Sequence, residues 1–285
     1  MSKSISVYIP TCNRPDMLDR ALASLTRQTY KNFQVLICND GSRCSYREVI
    51  DKYRGQFSDF QYVENAFPRG ACYSRNRLIH LADGEFITGL DDDDEFIEQR
   101  IESFISSPNL EKYAFLCSGH LTRTRRGVFR QSSRSGVVTL SAMLSGNIVG
   151  NQVFVATEYL RRCGGFDEDF PAWQDYDTWI RLLLWFGEGY KLSDYTYQMN
   201  IDHEEERITS SWKARRGYEL FLKKHQDILS AENKRSLYFQ DIINRNDELV
   251  WSGIVRNFSL PLLPMIMRYQ VKKIFPGLKE KLYKV

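Results

Sequence analysis

The segment "ISVYIPTCNRPDMLDRALASLTRQTYKNFQVLICNDGS", Ile5–Ser42, determines the expected fold. It opens with a short apolar and β-branched run, which predicts a buried strand over Ile5–Pro10. Pro15 suits the first turn of a helix, and leucines then recur at helical spacing as far as Gln28. A second apolar run over Phe33–Cys38 predicts another strand. A strand, a helix and a strand of these lengths predict a right-handed crossover between parallel strands, and therefore an α/β sheet.

The alternation of strands and helices continues to about residue 100. The sequence predicts strands over Phe60–Val63 and Glu85–Leu90, with a helix over Ala71–Leu81 between them. Beyond this point the pattern is less regular. The further elements we expect are strands over 115–117, 137–139 and 153–156, helices over 96–105 and 175–186, a polar loop over 203–211, and several helices from residue 212 onward.

Length and composition limit the class of protein. The chain has 285 residues, of which 42% are hydrophobic and 26% charged, enough for one large domain or two smaller ones. The net charge of +3 is too small to indicate nucleic-acid binding. The six cysteines form no C-x-x-C pair and no signal peptide precedes the first strand, so we expect a reduced, cytoplasmic protein. No apolar run approaches the roughly 20 residues of a membrane-spanning helix.

Polar side chains follow three of the expected strands at the point where each strand ends. Thr11, Asp40 and Asp91 occupy these positions. In open α/β sheets, ligands bind outside the carboxyl ends of the strands. The three positions therefore predict a ligand site along one edge of the sheet.

Four consecutive aspartates, Asp91–Asp94, lie in the stretch "GEFITGLDDDDEF" without a basic neighbour in the sequence. Side chains two residues apart on an extended chain point to the same side, and a divalent cation makes such crowding of carboxylates favourable. The alternative is a solvated acidic turn or an acidic helix N-terminus. A calcium EF-hand loop fits less well because its sixth position requires glycine and is Phe96 here, and a P-loop is absent.

The segments "SVYIPTCNRPDMLDRALASLTRQTYKNFQVLICNDGS", "RGACYSRNRLI", "GEFITGLDDDDEF" and "GGFDEDFPAWQDYDTWIRL" together resemble the inverting family 2 glycosyltransferases with a GT-A fold. The resemblance implies an α/β fold with a Rossmann-like nucleotide-binding part, a mixed β-sheet flanked by helices, and a helical C-terminal extension. It implies a nucleotide-sugar-binding half over residues 1–100, an acceptor-binding half over 101–210, and a helical region over 211–285 that associates with a membrane.

The resemblance also assigns roles on the donor side. Asp40 is implied to hydrogen-bond uracil, and Asp91 to lie near the ribose and the metal. Asp92 falls at the variable position of the D-x-D pair, which makes it the dispensable aspartate of the cluster. The residues implied to bind the nucleotide-sugar are Pro10, Thr11, Asn13, Asp40, Arg75, Asn76, Asp91 and Asp92.

The implied cofactor is Mn²⁺ or Mg²⁺. Asp93 and Asp91 are the implied metal ligands, with Asp94 as a supporting carboxylate and His203 as a further ligand. A metal offsets the charge that develops on a leaving diphosphate.

The stretch "WQDYD" places Asp175 on the family's catalytic base, where it would accept the proton of the attacking hydroxyl. Gln174 departs from the pattern because a glutamate is usual there. Trp173 and Gln174 are implied to contact the acceptor. Without the resemblance, Asp175 could be only a helix cap and Asp40 only a turn residue.

The expected reaction is transfer of a hexose, glucose or galactose, from a UDP-sugar to a saccharide on a polyprenyl diphosphate during O-antigen or other surface polysaccharide synthesis, with a β-linkage in the product. The basic and apolar segment "FSLPLLPMIMRYQVKKIF" predicts either a helix packed on the catalytic domain or an interfacial helix. We favour the second, which gives the protein a peripheral position on the cytoplasmic face of the inner membrane. Two alternatives are a sugar nucleotidyltransferase, which would normally carry a glycine-rich phosphate loop, and a non-catalytic sugar-nucleotide or glycan-binding module.

Overall fold

A computed structural model describes residues 3–131, 134–201 and 212–274 of the chain. Within these ranges a sheet of ten strands is flanked by helices. None of the helices that it describes is long and apolar enough to span a bilayer. His203 and the rest of the polar loop predicted over 203–211 lie outside the described residues.

The elements follow one another in three groups. The first group is β1 Ile5–Thr11, α1 Pro15–Thr26, β2 Phe33–Asn39, α2 Arg47–Tyr53, β3 Asp59–Glu64, α3 Ala71–Leu81, β4 Phe86–Gly89, β5 Glu95–Phe96 and α4 Arg100–Ile105. The second is β6 Phe115–Thr124, β7 Gly127–Arg130, β8 Gly136–Val138, α5 Leu140–Ser145, β9 Phe154–Ala156, α6 Thr157–Arg162, α7 Gln174–Phe186 and β10 Gly189–Asn200. The third is α8 Trp212–Lys224, α9 Ala231–Arg245, α10 Trp251–Asn257, a 3₁₀ turn over Leu260–Leu262 and α11 Leu263–Ile274.

The sheet is mixed, with the strand order β3-β2-β1-β4-β9-β6-β10-β5 and with β7 and β8 paired at β6 and β10. The four strands β3, β2, β1 and β4 are parallel, whereas β9 runs antiparallel to both β4 and β6. The short strand β5 pairs with the end of β10. The aspartate segment is therefore held between two distant parts of the sheet.

The sheet separates two apolar cores, which explains why β1 and β2 are apolar at most positions and lack an alternating polar face. Every residue of these two strands is buried. Val7 and Ile9 contribute to one core, with helix α1, and Tyr8 contributes to the other, with helices α3 and α7. Successive side chains of a strand point to opposite faces, so a strand covered on both faces has no polar stripe.

The strands and helices expected from the sequence are present, with differences at tertiary contacts. The helix expected from residue 96 begins at Arg100, because Glu95–Phe96 pair with β10 as a strand. Helix α2 and the twelve-residue strand β10 were not expected. Strand β10 has no strict alternation because both of its faces are partly covered.

A buried charge cluster fastens helix α7 to helix α8. The Asp177 carboxylate has no exposed surface and lies 2.9 Å from Arg181, Lys224 and His225. Burial alone raises the pKa of Asp177, but the hydrogen bond from His225 and the two cations reverse this effect and hold the pKa below its usual range. The C-terminal helices are thus joined to the α/β part by paired charges.

Replacing Asp177 by alanine is expected to lower the free energy of unfolding by about 3 kcal/mol, because it leaves three cationic or polar groups without their buried partner. Urea denaturation of the two proteins measures this difference. Asp227→Ala is the control, because this aspartate is exposed in the neighbouring turn. Equal losses in the two variants would contradict a special role for the cluster.

Candidate active site

The carboxyl ends of β2, β1 and β4 meet at one edge of the sheet, as the sequence predicts. The Asp40 amide donates to the Thr11 carbonyl at 2.8 Å, and the Leu90 amide donates to the Tyr8 carbonyl at 3.0 Å. Pro10 pairs with Cys38 in the same ladder. The polar residues that follow these strands therefore lie side by side.

The Asp40 carboxylate closes the loop that leads into helix α3. One oxygen accepts hydrogen bonds from the Asn65 side chain at 2.7 Å and the Arg69 amide at 2.9 Å, and the other accepts from the Gly70 amide at 2.7 Å. The side chain is buried. The structure thus gives Asp40 a structural role in shaping the rim, and its contact with uracil stays a prediction.

Gly41 is required where this loop crosses the end of β2. Its φ of +63° lies in the left-handed region, and a Cβ atom there would meet the Phe67 carbonyl carbon at 2.4 Å. Both the conformation and the close approach of the two backbones favour glycine.

Thr11 and Asn13 are held by hydrogen bonds, two of which involve residues that the sequence did not single out, Tyr46 and Arg43. The Thr11 hydroxyl lies 2.8 Å from the Tyr46 hydroxyl and donates to Asp92 at 2.7 Å. Asn13 has a left-handed φ of 57°, and its side-chain oxygen accepts from the Arg43 amide at 2.8 Å. Asparagine tolerates this conformation better than most residues do. The loop after β1 is therefore fixed before any ligand binds.

The four aspartates occupy four different environments, and arginines distant in sequence surround them. Arg14 lies 2.8 Å from Asp92 and 3.3 Å from Asp93. Arg20 donates to the Asp93 carbonyl at 2.7 Å. The basic neighbours that the local sequence lacks are thus supplied by helix α1 and the residue before it.

Asp92 is buried, and this burial raises the pKa of its carboxyl group to about 7. The sequence pattern marks Asp92 as dispensable for ligand binding, which stays a prediction. Its contacts with Arg14 and Thr11 give it a part in the fold that the pattern did not reveal. Asp94 is also buried, and it accepts from the Asn200 amide at 2.9 Å.

Arg75 connects the aspartate segment to helix α7. Its guanidinium lies 2.8 Å from the Asp91 carboxylate and 3.7 Å from that of Asp175, and it stacks 5.1 Å from the centre of the Phe166 ring. The Arg75 side chain is 6% exposed. Among the described residues, neither Arg75 Nη1 nor Asp175 Oδ1 has a hydrogen-bond partner. These two buried atoms face each other at 3.7 Å, beyond hydrogen-bond distance, so each keeps an unused hydrogen-bonding capacity.

Asn76, the next residue of helix α3, contacts the loop that leads to helix α7. Its amide group exchanges two hydrogen bonds of 2.8 Å with the backbone of Phe166, which fixes the loop before Trp173. A Cβ atom at Gly165 would meet the Asn76 side-chain oxygen at 2.4 Å. The structure thus shows Asn76 positioning a loop, and its contact with a nucleotide stays a prediction.

Asp175 lies in the first turn of helix α7, and burial raises the pKa of its carboxyl group to about 7, although Arg75 opposes the shift. Trp173 precedes the helix with a left-handed φ of 66° and packs on Tyr218 and Phe221 of helix α8. The Gln174 side-chain oxygen is buried and has no hydrogen-bond partner among the described residues. The helix start is thus strained and incompletely hydrogen-bonded, as functional sites often are.

Several residues in the second half of the chain hydrogen-bond to the aspartate segment, and sequence reasoning missed them. Asn151 and Gln152 each donate to the Asp91 carboxylate at 3.1 Å. The Tyr197 hydroxyl accepts from the Asp91 amide at 3.2 Å. The sequence carries no local signal for these contacts, because the three residues lie 60 or more positions from Asp91 along the chain.

The metal site is only partly defined. Asp91 and Asp93 carboxylates are each 22% exposed at the rim. Across the described ranges, no group of three or more His, Cys, Asp or Glu side chains is placed to hold an ion. The predicted ligand His203 lies outside these ranges.

Residues 6–148 match the model of Glycosyl transferase family 2. The chain is 34% identical over 265 residues to WcaA of Escherichia coli (strain K12), whose name assigns it provisionally to colanic acid biosynthesis as a glycosyl transferase. That match covers 90% of this chain and 93% of WcaA. A second relative, 24% identical over 63% of this chain and 69% of its own length, is the Escherichia coli UDP-Glc:alpha-D-GlcNAc-diphosphoundecaprenol beta-1,3-glucosyltransferase WfgD.

Among solved structures, Staphylococcus aureus TarS residues 1–349 in complex with UDP-GlcNAc superpose with a TM-score of 0.70. The match has 19% sequence identity and covers 93% of this chain and 79% of the TarS chain. At this identity it supports the fold alone.

Together with the α/β sheet and the carboxylates at its edge, these matches define a glycosyltransferase with a GT-A fold. The chain belongs to glycosyl transferase family 2. The expected fold class and enzyme class are confirmed, and the nucleotidyltransferase and the non-catalytic module are set aside.

Gly41→Ala is expected to displace the loop over 65–70 and to weaken UDP binding about tenfold, since strain of this kind costs on the order of 1–3 kcal/mol. Isothermal titration with UDP measures the effect. Gly55→Ala is the matched control, because its Cβ would meet nothing within 4 Å. The same UDP affinity in both variants would show that the loop does not shape the nucleotide site.

Proposed function

We propose that this enzyme transfers a hexose, glucose or galactose, from a UDP-sugar to GlcNAc or GalNAc on a polyprenyl diphosphate, with inversion of the anomeric carbon. The product would enter O-antigen or another surface polysaccharide. The names of WcaA and WfgD support the class of pathway, and that of WfgD supports the donor and the acceptor. The lipid-linked acceptor would place the reaction at the cytoplasmic face of the inner membrane.

The observation that carries this proposal is the position of Arg75 between two carboxylates of different expected roles. Asp91 belongs to the donor side, and Asp175 is the expected base. A single buried guanidinium sets the spacing of the two groups. Donor and acceptor would therefore meet beside Arg75.

In the proposed reaction, Asp175 accepts the proton of an acceptor hydroxyl while the hydroxyl oxygen attacks the anomeric carbon. The bond between this carbon and the diphosphate oxygen breaks, and UDP leaves with the bonding electrons. A single displacement from the opposite face converts an α-linked donor into a β-linked product. A base whose pKa is near the working pH is suited to this proton transfer, and burial raises that of Asp175 to about 7.

The donor atoms at the rim fit Mg²⁺ or Mn²⁺. These ions prefer carboxylate oxygens and are usually held by one or two carboxylates together with substrate phosphates. Asp93 and Asp91 would be these ligands, because both are partly exposed at the ends of the parallel strands. When bound, the ion would offset the charge that develops on the leaving diphosphate.

Removal of divalent cations is expected to abolish hexose transfer, and Mn²⁺ or Mg²⁺ should restore it. Release of UDP, measured with and without chelator, tests this dependence. Asp93→Ala should raise the metal concentration that gives half-maximal activity, whereas the exposed Asp227→Ala variant should not. Full activity in chelator would remove the metal from the mechanism.

Asp175→Asn is expected to bind UDP-sugar with near-normal affinity and to lose a factor of about 10² to 10⁴ in turnover. In the wild-type enzyme, the base works only when ionised, so kcat/KM should rise with pH through about 7 and then level off. A pH profile of both proteins tests the assignment. An unchanged rising limb in the variant would mean that another group is the base.

A further inference from the structure

Helices α10 and α11 have an inner side that packs on a small apolar cluster. Leu262 and Ile266 are buried against Phe239 of helix α9. Ile254 of α10 packs against the same cluster. The Tyr269 hydroxyl donates to the Asp247 carbonyl at 2.5 Å, which holds the second half of α11 in place. The inner side therefore accounts for how the two helices are attached.

The other side of α11 carries a second apolar stripe that the described residues leave exposed. Its residues recur at spacings of four, four and three along the helix, so they lie on one face. Helix α10 and the turn after it also carry exposed apolar side chains. We call these residues the outer face: Trp251, Val255, Phe258, Leu260, Leu263, Met267, Val271 and Ile274.

The segment that carries the outer face has basic residues and no acidic ones, but Lys273 donates to the Asn246 carbonyl, and Glu232 of helix α9 accepts a hydrogen bond from Ser259. From Leu249 to Ile274 the chain has Arg256, Arg268, Lys272 and Lys273 and no Asp or Glu. Arg256 and Arg268 are exposed. The sequence beyond 274 adds three lysines and one glutamate. Exposed apolar side chains beside cations are the composition of a helix that lies in the interface of an anionic bilayer.

We propose that the outer face binds an anionic lipid surface, with the apolar side chains at the acyl boundary and the arginines among the headgroups. The proposal rests on the proposed function, since a lipid-linked acceptor lies in such a surface. A second copy of the chain fits less well, because a two-fold contact would bring two patches that both carry positive charge against each other.

The outer face is also connected to the catalytic edge. Asn233 of helix α9 donates to the Ser145 hydroxyl at 3.0 Å, and the Gln240 side chain accepts from the Asn147 amide at 3.3 Å. The loop that begins there ends at Asn151, which donates to Asp91. A bilayer bound at the outer face would therefore be fixed relative to the carboxylates through α9 and this loop.

Sedimentation with vesicles tests the proposal on the full chain. We expect binding to vesicles of phosphatidylcholine and phosphatidylglycerol, and much weaker binding to phosphatidylcholine alone. Arg268→Gln should weaken binding to the anionic vesicles about fivefold. Met267→Gln combined with Val271→Gln should reduce it further on both types of vesicle.

Trp251→Ser and Trp185→Ser form a matched pair, because the two indoles are 80% and 62% exposed but only Trp251 belongs to the outer face. Trp251→Ser should lose vesicle binding, and Trp185→Ser should keep it. Equal behaviour of the two variants, or equal binding to neutral and anionic vesicles, would overturn the proposal. So would sedimentation equilibrium showing a dimer that Met267→Gln disrupts.

Transfer to a short-chain, water-soluble diphosphate-linked saccharide without vesicles separates the two proposals. The outer-face variants should keep this activity while they lose binding to vesicles. Absence of transfer in all proteins, with normal vesicle binding, would count against the proposed acceptor and not against the lipid surface.

Discussion

The pairing of one buried guanidinium with two carboxylates is the constraint on which the site depends. Arg75 is carried by α3, Asp91 by the end of β4, and Asp175 by the start of α7. A buried cation requires its partners at close range, so these three elements must meet at one point. The loop closed by Asp40 sets where α3 begins, and the Asn76 contacts with Phe166 set the approach to α7. The rest of the fold holds this meeting point in place.

Much of the first half of the fold could be predicted because its signals are local. Apolar runs identify β1 and β2, and helical spacing of leucines identifies α1. Strand β10 could not be predicted in this way, because its pattern depends on which neighbours cover each face. The same limit applies to Tyr197 and Asn151, since a hydrogen bond to Asp91 across more than fifty residues leaves no local trace.

The aspartate cluster shows what a motif conveys and what it does not. The sequence places four identical side chains at the end of a strand, and the resemblance ranks them by role. Their environments come from elsewhere: Arg75 and Asn151 reach Asp91, whereas Arg14 and Thr11 enclose Asp92. Local spacing therefore locates the site, but the ion pairs that stabilise these neighbouring carboxylates form only in the folded chain.

The Asp177 cluster has a consequence for how the chain can be divided. Asp177 of helix α7, two residues after the expected base, pairs with Lys224, the last residue of helix α8, and with His225, which follows that helix. A fragment that ended before α8 would expose the side of Trp173 that packs on Tyr218 and Phe221. It would also leave the buried Asp177 carboxylate without Lys224 and His225. The smallest fragment that folds with an intact site therefore includes helix α8 as well as the α/β part. An exchange of C-terminal regions between relatives would have to preserve the contacts of Asp177 and Trp173 with this helix and the residue after it.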